Sequence, residues 1–186
     1  MEDRRSFLTR ALVIGSIGSI ECIAQDTHEG KDVLVNGKLK PTFDMGVDDN
    51  EHQRKWLSKE EDHMLLSYPA GLEWGAVFVT FGKPKAKDRP FIDLSDYRTL
   101  IVEMRGGLGG EQVAVGIKTN DQEDDGSETK FDTKLSKDWQ EYKFPLSQFS
   151  GASPSRLYVV AEFVFSDAKA QTVLVRNIRY VKAASK

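Results

Sequence analysis

The chain has 186 residues, with 26 Lys and Arg against 29 Asp and Glu and a formal net charge of −3. No block of Lys and Arg with interleaved aromatics occurs, which argues against nucleic acid and anionic membrane surfaces as partners. Cys22 is the single cysteine, so an intramolecular disulfide is excluded and stability must come from a packed core.

At the N-terminus, Arg4-Arg5-Ser6-Phe7-Leu8 precedes a mildly apolar stretch over residues 11–20 that is interrupted by Gly15 and Gly18. The stretch is too short to cross roughly 30 Å of hydrocarbon as a helix, so no permanent membrane span is expected. The arginine pair with its following Phe and Leu resembles the twin-arginine export signature, an address read by a receptor. Cys22-Ile23-Ala24 has small-x-small character, which predicts a signal peptide over 1–24. An acylated Cys22 fits less well, because Glu21 and Ile20 are not the small residues such a site needs. The mature chain then has a polar segment with a first strand over 25–41 and one domain over 42–186. This assignment implies a periplasmic or extracellular location.

Beyond the signal, apolar segments of period two alternate with Gly, Pro, Asp and Ser, which is the pattern of strands and turns. Strands are expected over 32–35, 63–68, 74–81, 98–105, 112–118, 139–144, 156–165 and 172–181, with a shorter piece near Thr42. About eight or nine strands separated by turns read as all-β, an antiparallel β-sandwich of jelly-roll type. Alternation assigns the faces. Leu100, Val102 and Met104 point inward, leaving Glu103 and Arg105 outward. Val113, Val115 and Ile117 point inward, as does the row Leu157, Val159, Ala161, Phe163 and Phe165. Tyr158, Val160, Glu162 and Val164 then occupy the other face. If these strands share one sheet, Tyr158, Glu162, Glu103 and Arg105 form one surface, half polar and half apolar, as a sugar-binding face or a plain solvated face would be.

Catalytic patterns are weak. No strand offers two carboxylates at alternate positions, as jelly-roll glycosidases need. His28, His52 and His63 lack metal-ligand spacing, and no nucleophile–His–acid set is evident. Gly106-Gly107-Leu108-Gly109-Gly110 lacks the Lys-Ser/Thr of a phosphate loop and reads as a hairpin turn. Asp121, Glu123 and Asp125 before Gly126, with Asp132 further on, resemble a calcium loop, but the flanks are strands and an acidic hairpin is the plainer reading. The aromatics carry the remaining signal, because sugar C–H faces stack on rings while hydroxyls bond to polar side chains. Tyr68, Trp74 and Tyr158 are the candidate rings, and Glu103, Arg105 and Glu162 the polar partners. Trp139, Tyr142 and Phe144 read as structural.

From about Phe43 to Val181 the chain resembles the galactose-binding-like β-sandwich modules of carbohydrate-active enzymes, family 11 of the carbohydrate-binding modules and its relatives. The residues that carry the likeness are Phe43-Asp44 with Trp56, Asp93-Leu94-Ser95-Asp96-Tyr97 leading into Val102-Glu103-Met104-Arg105-Gly106, Trp139-Gln140-Glu141-Tyr142, and Val175-Arg176-Asn177-Ile178. The resemblance implies a non-catalytic module that binds a polysaccharide or oligosaccharide on one sheet face. A glycan-active enzyme or another protein is an implied partner. It also implies a structural calcium, with Asp44 and Asn177 at the ligand positions, the second uncharged where the pattern has an acid. A protein-assembly module, as in the complex I intermediate-associated relatives of this fold, is the alternative function.

Overall fold

The computed structural model describes residues 30–183, so the expected signal peptide over 1–24, with Arg4 and Arg5, lies outside the described residues. Within them the chain forms β1 (Gly30–Val35), β2 (Lys38–Leu39), β3 (Phe43–Asp49), β4 (Leu57–Lys59), β5 (Met64–Tyr68), β6 (Gly75–Phe81), β7 (Thr99–Gly106), β8 (Gln112–Thr119), β9 (Lys130–Lys134), β10 (Gln140–Pro145), β11 (Leu157–Phe165) and β12 (Gln171–Val181). Two antiparallel sheets result. The five-stranded sheet has the order β3-β6-β11-β8-β9. In the seven-stranded sheet β12 pairs along one edge with β7, which continues to β10; its other edge is shared end to end by β5 and β1, with β4 and β2 outside them.

Burial follows the pleat. Leu100, Val102 and Met104 of β7 are fully buried, as are Val115 and Ile117 of β8, and they meet between the sheets with Leu66, Val77, Val79, Phe163, Phe165, Val173, Ile178 and Tyr180. Tyr68 stacks on Phe165 at 4.9 Å between centroids, and Trp56 meets Phe165 edge-on at 5.6 Å.

Three features depart from the sequence reading. A bulge between Val159 and Ala161 shifts the register of β11 against β6. It places Val160 in the core and turns Val159 outward, the reverse of strict alternation. The glycine-rich segment after β7 is an arch that carries the chain from one sheet to the other, rather than a hairpin. Gly109 and Gly110, at φ +87° and +99°, supply backbone angles that other residues rarely adopt. Strands β2, β4 and β9 were not legible, being short or, in the case of Lys130-Phe131-Asp132-Thr133-Lys134, mostly polar.

Candidate functional site

The outer face of the five-stranded sheet carries a cleft of about 910 Å³. Register builds its floor. One row across the sheet runs Gly46, Phe78, Glu162, Gly116 and Lys130, and the next runs Asp48, Ala76, Val164, Ala114 and Asp132. Of these residues Asp48, Ala76, Phe78, Glu162, Val164 and Lys130 line the cleft, and the glycines let their neighbours lie close to the sheet. A methyl group on Gly116 would sit 3.2 Å from Glu162 Oε2 and 3.3 Å from Lys130 Cγ, and one on Gly46 would sit 2.4 Å from the Phe78 ring. Trp74, 41% exposed at the start of β6, supplies a ring at the rim.

Charge is concentrated on the floor. Lys118 and Glu128 are both buried, with Lys118 Nζ 3.2 Å from Glu128 Oε2 in an ion pair that lacks hydrogen-bond geometry. Lys130 Nζ lies 2.7 Å from the other oxygen, Glu128 Oε1. Burial, and then the negative charge of Glu128 beside it, push the Glu162 carboxyl well above the usual range. Burial also penalises the charged form of Glu128, but hydrogen bonds from Lys130 and its own backbone, with the charge of Lys118, outweigh this and hold it low. Glu162 lines the cleft, with its Oε2 buried and without a hydrogen-bond partner.

Two loops form the walls. Residues 82–90, after β6, fold over the sheet: Tyr158 Oη donates to Lys83 O at 2.9 Å and accepts from Ala86 N at 3.2 Å. Lys85 Nζ reaches Asp48 Oδ2 at 2.6 Å. Desolvation raises Asp48, yet its bonds to Lys85, His52 and Arg54 leave it well below the ordinary carboxylate range. Arg89 stacks over the Tyr158 ring at 5.7 Å, donates to Gln122 O at 2.5 Å and pairs with Asp124, joining this loop to the acidic β8–β9 hairpin.

Of the expected ligand residues, the cleft gathers Trp74, Tyr158 and Glu162. Tyr158 is 4% exposed and anchors the loop, so it is not a free stacking platform. Tyr68 lies in the core, with its hydroxyl donating to Leu72 O at 2.7 Å. Glu103 and Arg105 belong to β7 in the other sheet, so the single surface expected from strand parity does not form. There Glu103 binds Arg176 and Asn177, while Arg105 and Arg176 lie over the Trp139 ring at 5.2 and 4.4 Å. Trp139 is half-buried on this outer face, while Phe144 is buried and Tyr142 Oη accepts from Ser136 N.

Asp44 and Asn177 lie on strands of different sheets. Asp44, exposed on β3, accepts from its neighbour Met45 N, whereas Asn177 Oδ1 on β12 accepts from Asn36 N and its amide nitrogen points at Glu103. Among the described residues no group of three His, Cys, Asp or Glu side chains is placed to hold a metal ion.

Sequence reasoning missed Asp48, Phe78, Lys85, Arg89, Lys118, Glu128 and Lys130. For Lys118 a signal existed: it shares strand parity with Ala114 and Gly116, which puts it on the face opposite Val115 and Ile117.

Residues 40–182 match the family described as Carbohydrate binding domain 30. Solved structures share the architecture. A family 11 carbohydrate-binding module from Clostridium thermocellum, in complex with a β-1,3-1,4-mixed-linked tetrasaccharide, superposes with a TM-score of 0.59 at 12% identity, covering 84% of this chain and 98% of that one. The family 30 module of the cellulosomal cellulase Cel9D-Cel44B of Clostridium thermocellum gives 0.58 at 17%, covering 83% and 99%. A family 29 module complexed with mannohexaose gives 0.53 at 13%, covering 81% and 89%. None of the curated proteins matches the chain.

Proposed function

This chain belongs to the Carbohydrate binding domain 30 family, and from that premise we propose that it is a non-catalytic module that binds an oligosaccharide or polysaccharide in the cleft of its five-stranded sheet. The observation that carries the reading is the pairing of an exposed ring, Trp74, with a floor of Ala76, Phe78, Val164 and buried charged groups in one concavity. A pyranose presents apolar C–H faces to such a ring and hydroxyls to such a floor. Lys130 and Asp48, at the margin of the same floor, carry the polar groups that sugar hydroxyls would meet. The neighbours give the probes: calorimetric titration of the purified protein with the mixed-linked tetrasaccharide, mannohexaose and cellulohexaose, sugars named with family 11 and 29 modules. Binding of at least one is expected, and Trp74→Ala should weaken it roughly tenfold while changing stability by no more than about 0.5 kcal/mol. No heat with any of the three overturns the reading. The twin-arginine address at Arg4 and Arg5 supports action outside the cytoplasmic membrane, where polysaccharides are met.

A further inference from the structure

We infer that Arg89 is a positioning residue for the glycan: it clamps together two segments that border the cleft, the 82–90 loop and the β8–β9 hairpin, and affinity depends on that clamp. The inference rests on the carbohydrate reading above and adds the residue that holds its site in shape. A ligand that needs both segments in place binds only the fraction of molecules in which they are, so loosening them lowers the apparent affinity by that fraction.

The guanidinium of Arg89 spans segments that are far apart in sequence. Its Nη1 donates to Gln122 O at 2.5 Å, its Nη2 pairs with Asp124, and the group lies over the Tyr158 ring at 5.7 Å. Arg89 and Asp124 both line the cleft. The loop's other side-chain ties run elsewhere, from Lys83 and Ala86 to Tyr158 on β11 and from Lys85 to Asp48 on β3. Among the described residues Arg89 therefore makes the only hydrogen bonds and ion pair between loop and hairpin. The clamp continues into the floor. Lys118 Nζ donates to Glu123 O and Asp124 Oδ1, both at 3.2 Å, so Asp124 is shared between Arg89 and a buried cation of β8. The backbone gives an independent sign. Arg89 has φ of +37°, in the left-handed region that is unfavourable for any residue with a Cβ. Such a conformation persists where surrounding contacts fix it. Here the guanidinium contacts do so, together with the bond from Arg89 N to Ala86 O at 3.3 Å.

The test is calorimetric titration with whichever of the mixed-linked tetrasaccharide, mannohexaose and cellulohexaose binds the wild type. Arg89→Ala should weaken binding about fivefold, and so should Arg89→Gly, although glycine suits the backbone angle and keeps the loop unstrained. Asp124→Asn should also weaken it, and the double variant should be no weaker than the worse single one, because the two side chains act as one contact. These sugars carry no charge, so added salt acts on the protein's own ion pairs: about 0.5 M sodium chloride should weaken the wild type more than Arg89→Gly. Wild-type affinity in Arg89→Gly overturns the inference and leaves the carbohydrate reading standing. Additive losses do the same, since Arg89 and Asp124 would then act separately on the sugar. Failure of the wild type to bind any of the three sugars overturns both.

Discussion

Asp49 illustrates how one side chain fixes a boundary of this sandwich. It is fully buried at the end of β3, where its carboxylate accepts from the backbone of Glu51, Gln53 and Arg54 and from Trp56 Nε1, at 2.8–3.1 Å. Desolvation opposes its charge, but these donors outweigh it and hold the carboxyl below its ordinary value. Asp49→Ala would leave buried donors without a partner, so a loss of about 3 kcal/mol is expected in denaturant unfolding. A loss under about 1 kcal/mol would mean that water replaces the carboxylate. Asp49 was not singled out in the sequence, because a second acid after Asp48 in a polar stretch reads as solvated surface. Only the fold shows that parity sends Asp48 outward to Lys85 and Asp49 inward to Trp56.

At the scale of elements, the 82–90 loop shapes the cleft, and Tyr158 couples it to β11. Tyr158→Phe keeps the ring under Arg89 but removes both hydroxyl bonds. A cost of about 1 kcal/mol is expected, the usual net value of such bonds, together with faster amide exchange at Ala86 than in the wild type. Unchanged exchange at Ala86 would show that Lys85 and Arg89 hold the loop alone. The same residue marks a limit of pattern reading. Tyr158 was identified from strand parity as a face residue, as it is, but its hydroxyl belongs to a loop that lies more than seventy residues earlier in the chain.

For the molecule as a whole, the buried charges predict how stability follows pH. Asp48, Asp49 and Glu128 have depressed carboxyls in the folded state, so the stability they contribute is present above the ordinary carboxylate range and is lost as pH falls through the lowered values. Glu162 acts in the opposite sense: its raised carboxyl binds a proton more tightly when folded, and that contribution is lost as pH rises through the raised value. Stability should therefore peak between these limits and decline on both sides. Glu162→Gln keeps a neutral donor beside Glu128 and removes the alkaline decline. It should exceed the wild type by about 1 kcal/mol on the alkaline side and match it in acid, as measured by thermal unfolding across pH. Equal alkaline stability would mean that Glu162 is ionised without penalty. The proposed export concerns the molecule as cargo. Replacing Arg4 and Arg5 together by Lys should hold the protein in the cytoplasm, and unchanged localisation in cell fractions would contradict the twin-arginine address.

The period-two pattern by itself determined that this chain is an antiparallel sandwich, and it set the inward rows of β7 and β8 correctly, because pleat geometry is local to each strand. Tertiary structure decided which sheet each strand joins, since that depends on hydrogen bonds between residues far apart in sequence. That choice separated Glu103 and Arg105 from Tyr158 and Glu162, and it placed Tyr68 in the core. It also decided the bulge at Val159–Ala161, where one extra residue reverses the facing of Val159 and Val160 without a mark in the apolar pattern. The cleft itself comes from side chains on five strands and the loops between them, which meet only when the sheet assembles. No single segment of the sequence carries enough of them to reveal it.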